Sequence, residues 1–205
     1  PSPSHSPCAV TGDSATFQCG AIRRQGSGQR MGNVVVAGGR RVKLNGHALG
    51  CAASGTPLSN NGAFNATNST VSYDGAAAQT VATANVDYTN LTIDNPAGVT
   101  LSSAESVPGV LALKQGVFTN GANLTLGNGA TIVRSGGSLA TAPTFGASVN
   151  VQYAGNAAIT TGPELPAATS VLANLTNNNT ATINLNQNET AVSYTHLTLP
   201  TSDLV

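Results

Sequence analysis

Tryptophan is absent, methionine occurs once, and aromatic residues make up only 4% of the chain. A core filled by large rings is therefore excluded, and burial must rest on Val, Leu, Ile and Ala. Charged residues are also scarce, at 8%, against about a quarter in ordinary globular chains. That excludes disorder driven by charge excess. No apolar run is long enough to span a membrane. No stretch carries a helical apolar stripe between a cap and a stop. A nucleophile elbow, a phosphate-cradling glycine loop and a zinc helix motif are all missing. So is the Gly-Gly-x-Gly-x-Asp nonapeptide of calcium β-rolls. What fills the 205 residues instead is Gly, Asn, Thr, Ser and Ala among short aliphatic runs.

Those runs have a strand pattern. In Leu91-Thr92-Ile93 and Val99-Thr100-Leu101 two aliphatics flank a Thr. Successive strand side chains point to opposite faces, so the aliphatics face a core and the Thr faces outward. Val42-Lys43-Leu44, Leu111-Ala112-Leu113, Leu124-Thr125-Leu126 and Ile183-Asn184-Leu185 repeat the pattern. Leu91, Ile93, Val99, Leu101, Leu111, Leu113, Leu124 and Leu126 are the expected inward residues. Asn45-Gly46, Asp74-Gly75, Asn120-Gly121 and Asn128-Gly129 punctuate the strands as tight turns. Strand starts fall every 8–13 residues, a spacing that suits a sandwich or a solenoid.

A longer echo separates the two. Val71-Ser72-Tyr73-Asp74-Gly75 returns as Val151-Gln152-Tyr153-Ala154-Gly155, 80 positions on. Asn90-Leu91-Thr92 returns as Asn174-Leu175-Thr176, and Val99-Thr100-Leu101 as Ile183-Asn184-Leu185, each 84 positions on. Repetition without helices predicts an all-β chain folded as a parallel β-helix, a β-solenoid of short rungs. Tandem β-sandwich modules are the alternative. The expected organisation is an irregular or disordered segment over 1–31, the solenoid over 32–190, and a separate tail over 191–205.

Both ends carry particular signals. Residues 1–50 hold Arg23, Arg24, Arg30, Arg40, Arg41 and Lys43 with one acid, Asp13. This suggests an anionic-polymer patch, yet no aromatic is interleaved to stack bases, so nucleic acid is not expected. Cys8, Cys19 and Cys51 are odd in number; a Cys8–Cys19 bridge would leave Cys51 free. Zinc held by Cys8, Cys19, His47 and Cys51 lacks paired ligand spacing and is not expected. At the other end, Val192–Thr201 resembles the conceptual translation of a transposon-type sequencing adapter, a contaminant of metagenomic sequence. On that reading residues 192–205, His196 included, are excluded from functional inference, and the protein continued past residue 190.

Residues 62–190 resemble the repeat regions of large secreted bacterial surface proteins, of the Bacteroidetes-type secretion and haemagglutinin-like adhesin kinds. GAFNATNSTVSYDGAAAQTV, YTNLTIDNPAGVTL, LTLGNGATI and VNVQYAGNAAITTGPELP carry the likeness. NVVVAGGRRVKLNGHALG is similar to the opening coil of such regions, but Arg40, Arg41 and Lys43 stand where small or polar residues are commoner. The resemblance implies β-helix architecture and a location at the cell surface or outside the cell.

The functional expectation is a stalk or adhesin fragment without catalysis or cofactor, meeting glycans or extracellular and cell-surface polymers. Thr92, Thr100 and Thr125 are the outward candidates for contact, and would serve binding to ice or a crystalline polymer equally. A carbohydrate-active β-helix enzyme would need clustered carboxylates with a basic partner on one face. Asp74, Asp87, Asp94 and Glu164 are the candidates. Asp87 with Asp94 is the best pair, lacking a nearby cation in sequence, whereas Asp74 and Asp94 also read as turn residues. Weak calcium binding through Asp74 or Asp94 is the only ion chemistry suggested. Asn-x-Ser/Thr occurs at Asn65, Asn68, Asn90, Asn123, Asn174, Asn178 and Asn188. Several of these lie at strand starts, where the amide is expected to bond along a stack rather than carry a glycan.

Overall fold

The computed structural model describes residues 8–10, 17–18, 23–25, 28–31, 33–36, 38, 41–44, 46–168 and 170–186. Among these there is no helix, and parallel strands stack into a β-solenoid of about 7 turns. The sandwich alternative is therefore set aside: strands from successive turns pair in parallel, as a sandwich of hairpins would not.

Each complete coil has three faces. The first is one continuous ladder: Gly28–Met31, Ala48–Cys51, Thr70–Tyr73, Asn90–Asp94, Val110–Gln115, Ala130–Arg134, Val149–Gly155 and Leu172–Asn179. These pair in parallel throughout. Arg23–Gln25 is added antiparallel at one end. The second face runs through Val34–Val36, Leu58–Asn60, Gln79–Thr80, Val99–Thr100, Val117–Thr119, Ser138–Leu139, Ile159–Thr160 and Ile183–Asn184. Arg41–Lys43, Ala63–Asn65, Val86–Asp87, Glu105–Val107 and Leu124–Leu126 form the third. Within residues 1–31, where the sequence shows no periodicity, Cys8–Val10 pairs in parallel with the second face, and Gly28–Met31 with the first.

The coil length explains the long echo. The ladder partners Leu49, Val71, Leu91, Leu111, Ile132, Val151 and Leu175 are 19 to 24 residues apart. Val71 to Val151, and Leu91 to Leu175, each span four coils. The 8–13-residue rhythm is the distance from one face to the next within a coil.

Burial follows the alternation. Leu91, Ile93, Val99, Leu101, Leu111, Leu113, Leu124 and Leu126 are all buried, as the pattern predicts. Stacking makes columns, and each inward side chain meets its equivalents one coil above and below. A neighbouring column runs Cys51, Tyr73, Ile93, Leu113, Arg134, Tyr153. Arg134 is thus a cation in an apolar column, and only 13% of its side chain is exposed. A buried charge requires a partner. Glu164, fully buried, supplies it: Arg134 Nη1 lies 2.5 Å from Oε1. Tyr153 Oη and the Gly162 amide donate to the same oxygen at 2.9 and 3.0 Å.

Polar side chains at the corners tie one coil to another. Asn60 donates to the Ala84 and Asn85 carbonyls, Gln79 to those of Cys51 and Ala53, and Asn120 to those of Gly121 and Thr141. Each is buried, and each satisfies carbonyls that the turning backbone leaves out of the ladders. Tight corners also fix glycine. Gly116 has φ +71°, and a Cβ there would overlap the carbonyl oxygen of Asn95 on the preceding coil.

Candidate functional site

The three candidate threonines do not share one surface. Thr100 and Thr125 are exposed, on the second and third faces, but Thr92 is buried at 7% exposure. Thr92 points away from the core, as alternation requires, but it sits inside the continuous first face. Ser72 and Ala112 flank it in register on both sides, so little water reaches it. Thr100 instead belongs to a column with Thr80 and Thr119, one residue per coil. Thr125 stacks between Ser106 and Thr144. Thr80 and Thr119 escape the sequence pattern because their strands lack the aliphatic-Thr-aliphatic triplet. Their spacing from Thr100, 20 and 19 residues, is the coil length and would have found them.

The carboxylates are also redistributed. Asp87 is exposed on the third face and Asp94 ends a first-face strand, so the expected pair is split between faces. Asp74 and Asp94 are brought together instead. They follow the ladder partners Tyr73 and Ile93 and so occupy equivalent corners one coil apart, a backbone spacing of about 4.8 Å. The expectation that Asp94 lacks a nearby cation is corrected, since Lys114 Nζ lies 3.8 Å from its Oδ2. An irregularity in pairing sets Asp94 opposite Gln115 and brings Lys114 to that corner. Glu164 is committed to Arg134 inside the core and offers nothing to a ligand at the surface.

Interior titratable groups are tuned by burial. The Cys51 thiol is free and buried, and desolvation, then the Asp74 charge, push it up to about 12. It is inert, and it faces the core while His47 is exposed, so the two do not converge on a metal. The Cys8 and Cys19 side chains lie outside the described residues. Tyr88 Oη donates to the Ala82 carbonyl at 2.7 Å, so Tyr73 Oη donates to Tyr88 Oη at 2.8 Å. Burial raises both phenols. Glu105, on the third face, is raised to about 7, first by desolvation and then by Asp87; its bond from the Ser106 amide opposes this. Among the described residues no group of three or more His, Cys, Asp or Glu is placed to hold a metal ion.

A cavity of about 470 Å³ opens near the corner between the third and first faces, lined by Lys43, Gly46, Asn65, Thr67 and Asn68. Its walls are held from behind. Ser69 Oγ accepts from the Gly46 amide at 2.8 Å, Asn65 Oδ1 from Thr67 at 2.9 Å, and Thr89 Oγ1 from Asn68 at 3.0 Å. Asn68 stands at φ 55°, a left-handed position that Asn tolerates better than most residues. Other Asn-x-Ser/Thr residues serve the stack. Asn90 bonds Ser69 and Val110, Asn123 bonds Leu101, and Asn174 bonds Asn150, all between coils. Asn178 is exposed, and Asn188 lies outside the described residues, as do 192–205.

Comparison with protein-family models, with curated proteins and with solved structures finds no match for this chain. Among the described residues no helix is long and apolar enough to cross a membrane.

Proposed function

We propose that the chain is part of a secreted bacterial cell-surface protein, where it serves as a stalk or adhesin segment and catalyses no reaction. One observation carries this reading. The eight parallel strands of the first face form an unbroken ladder from Gly28 to Asn179, so the chain is one continuous rod of stacked coils. Such a stack holds its ends apart, and its side chains form extended surfaces suited to contact along a polymer. Binding of the purified chain to a panel of glycans and extracellular-matrix proteins tests the adhesin form. Binding to one class supports it, and no binding by a folded chain leaves the spacer role alone. Release of sugar from any panel member would overturn the absence of catalysis. Asp94→Asn would then show whether the Asp74, Asp94 and Lys114 corner is responsible.

A second reading is contact with ice or a crystalline polymer through the second face. The exposed Thr100 and Thr119, in register with Thr80, favour it by presenting one hydroxyl and one methyl per coil. Thermal hysteresis of a concentrated solution measures it directly for ice. Its absence removes that form of the reading.

A further inference from the structure

We propose that the cavity beside Lys43 binds an acidic sugar, the carboxylate of a uronic acid within an extracellular glycan. The inference rests on the surface-protein reading for where such a glycan would be met, and it adds the ligand. A volume of about 470 Å³ falls in the range of ligand pockets, roughly 300–1,000 Å³, and admits a sugar ring or two.

The lining chemistry selects the ligand. Lys43 is exposed at the cavity's edge and supplies a point charge with three donors. Arg41 projects from the same face of the same strand, and exposed His47 follows the turn, so the approach is cationic. No carboxylate lines the cavity. The nearest acid in register is Asp87, one coil beyond Asn65. The remaining lining groups are amides and a hydroxyl, from Asn65, Asn68 and Thr67, which match sugar hydroxyls as both donors and acceptors. A nucleic acid fits less well. The aromatic in the adjoining strand, Phe64, is buried and offers no platform for a base. The backbone bonds to Ser69 and Thr89 hold the walls in place before binding, which lowers the ordering cost.

The test is isothermal titration calorimetry of the full chain with an oligogalacturonide at low salt, with maltohexaose as the uncharged control. Lys43→Gln should weaken binding about tenfold, the worth of one charge-assisted hydrogen bond. Lys43→Arg should keep most of it, and Thr67→Val should lose a few-fold. Both positions are exposed, and circular dichroism verifies the fold of each variant. Three results overturn the proposal: no binding by folded protein, equal binding of maltohexaose, or wild-type affinity in Lys43→Gln. Equal binding of a DNA duplex, with the same loss in Lys43→Gln, would overturn it in favour of a general polyanion patch. None of these touches the stalk reading, which depends on the continuity of the ladder.

Discussion

Replacing Leu101 with Ala, beside Thr100 with Ala, tests how the coil is held together. The two residues are adjacent at a second-face strand. Leu101 is 2% exposed and Thr100 is exposed. Burying a Leu side chain contributes roughly 1.5–3 kcal/mol, and truncation leaves a cavity that the stacked neighbours close only partly, for a total cost of about 2–5 kcal/mol. An exposed Thr on the same strand should cost about 0.5 kcal/mol or less. The loss from Leu101→Ala should also spread along the stack. The Leu101 amide donates to the Thr119 carbonyl, and the Val81 amide to that of Thr100, so both neighbouring coils share the site. Urea denaturation followed by far-ultraviolet circular dichroism gives both free energies, and hydrogen exchange at Val81 and Leu101 gives the spread. Equal losses for the two variants would refute the reasoning. So would a Leu101→Ala loss confined to its own coil.

Glu105 gives a pH signature. Its folded pKa is raised, to about 7, above the ordinary 4.5. The stabilising protonated form is therefore fully present below pH 4.5 and lost as pH rises through 7. Because the group is half-buried, solvent screening cuts the effect to about 1 kcal/mol. The urea midpoint should fall between pH 5 and pH 8, and Glu105→Gln should flatten that fall. Arg134→Met alone should cost about 3–5 kcal/mol by stranding the Glu164 charge, whereas Arg134→Met with Glu164→Leu should recover most of it. A double variant no better than the single would refute the buried pair. Gly116→Ala should cost more than 2 kcal/mol, by steric overlap with Asn95 and by a positive φ. Thermal melting of that variant within 2 °C of wild type would contradict the corner geometry.

The fold was legible in the sequence because its core is local in pattern. The Leu91-Thr92-Ile93 triplet states which residues face inward, and in a solenoid inward means buried against the same position one coil away. The repeat was legible only at four coils. Coils vary from 19 to 24 residues, so matching positions drift until Val71 and Val151 coincide in residue type. That drift hid the Thr80, Thr100 and Thr119 column. It also hid the neighbouring corners of Asp74 and Asp94. Whether a polar residue is covered by its stack neighbours depends on those neighbours, so Thr92 read as exposed although Ser72 and Ala112 close over it. Arg134 was invisible for a related reason. At a strand end a cation reads as surface, and only the column through Leu113 and Tyr153 shows it turned inward. Lys43 stood out in sequence as a departure from the resembled repeats, and the structure sets it at a cavity.

Hydrogen exchange across the whole chain tests the continuous rod most directly. Amides of the first-face strands from Thr70–Tyr73 to Val149–Gly155 should be slow to exchange, in blocks recurring every 19–24 residues with no fast-exchanging break between coils. A stretch of fast exchange across all three faces of any one coil within residues 48–160 would contradict it, because the rod would then be two bodies joined by a hinge.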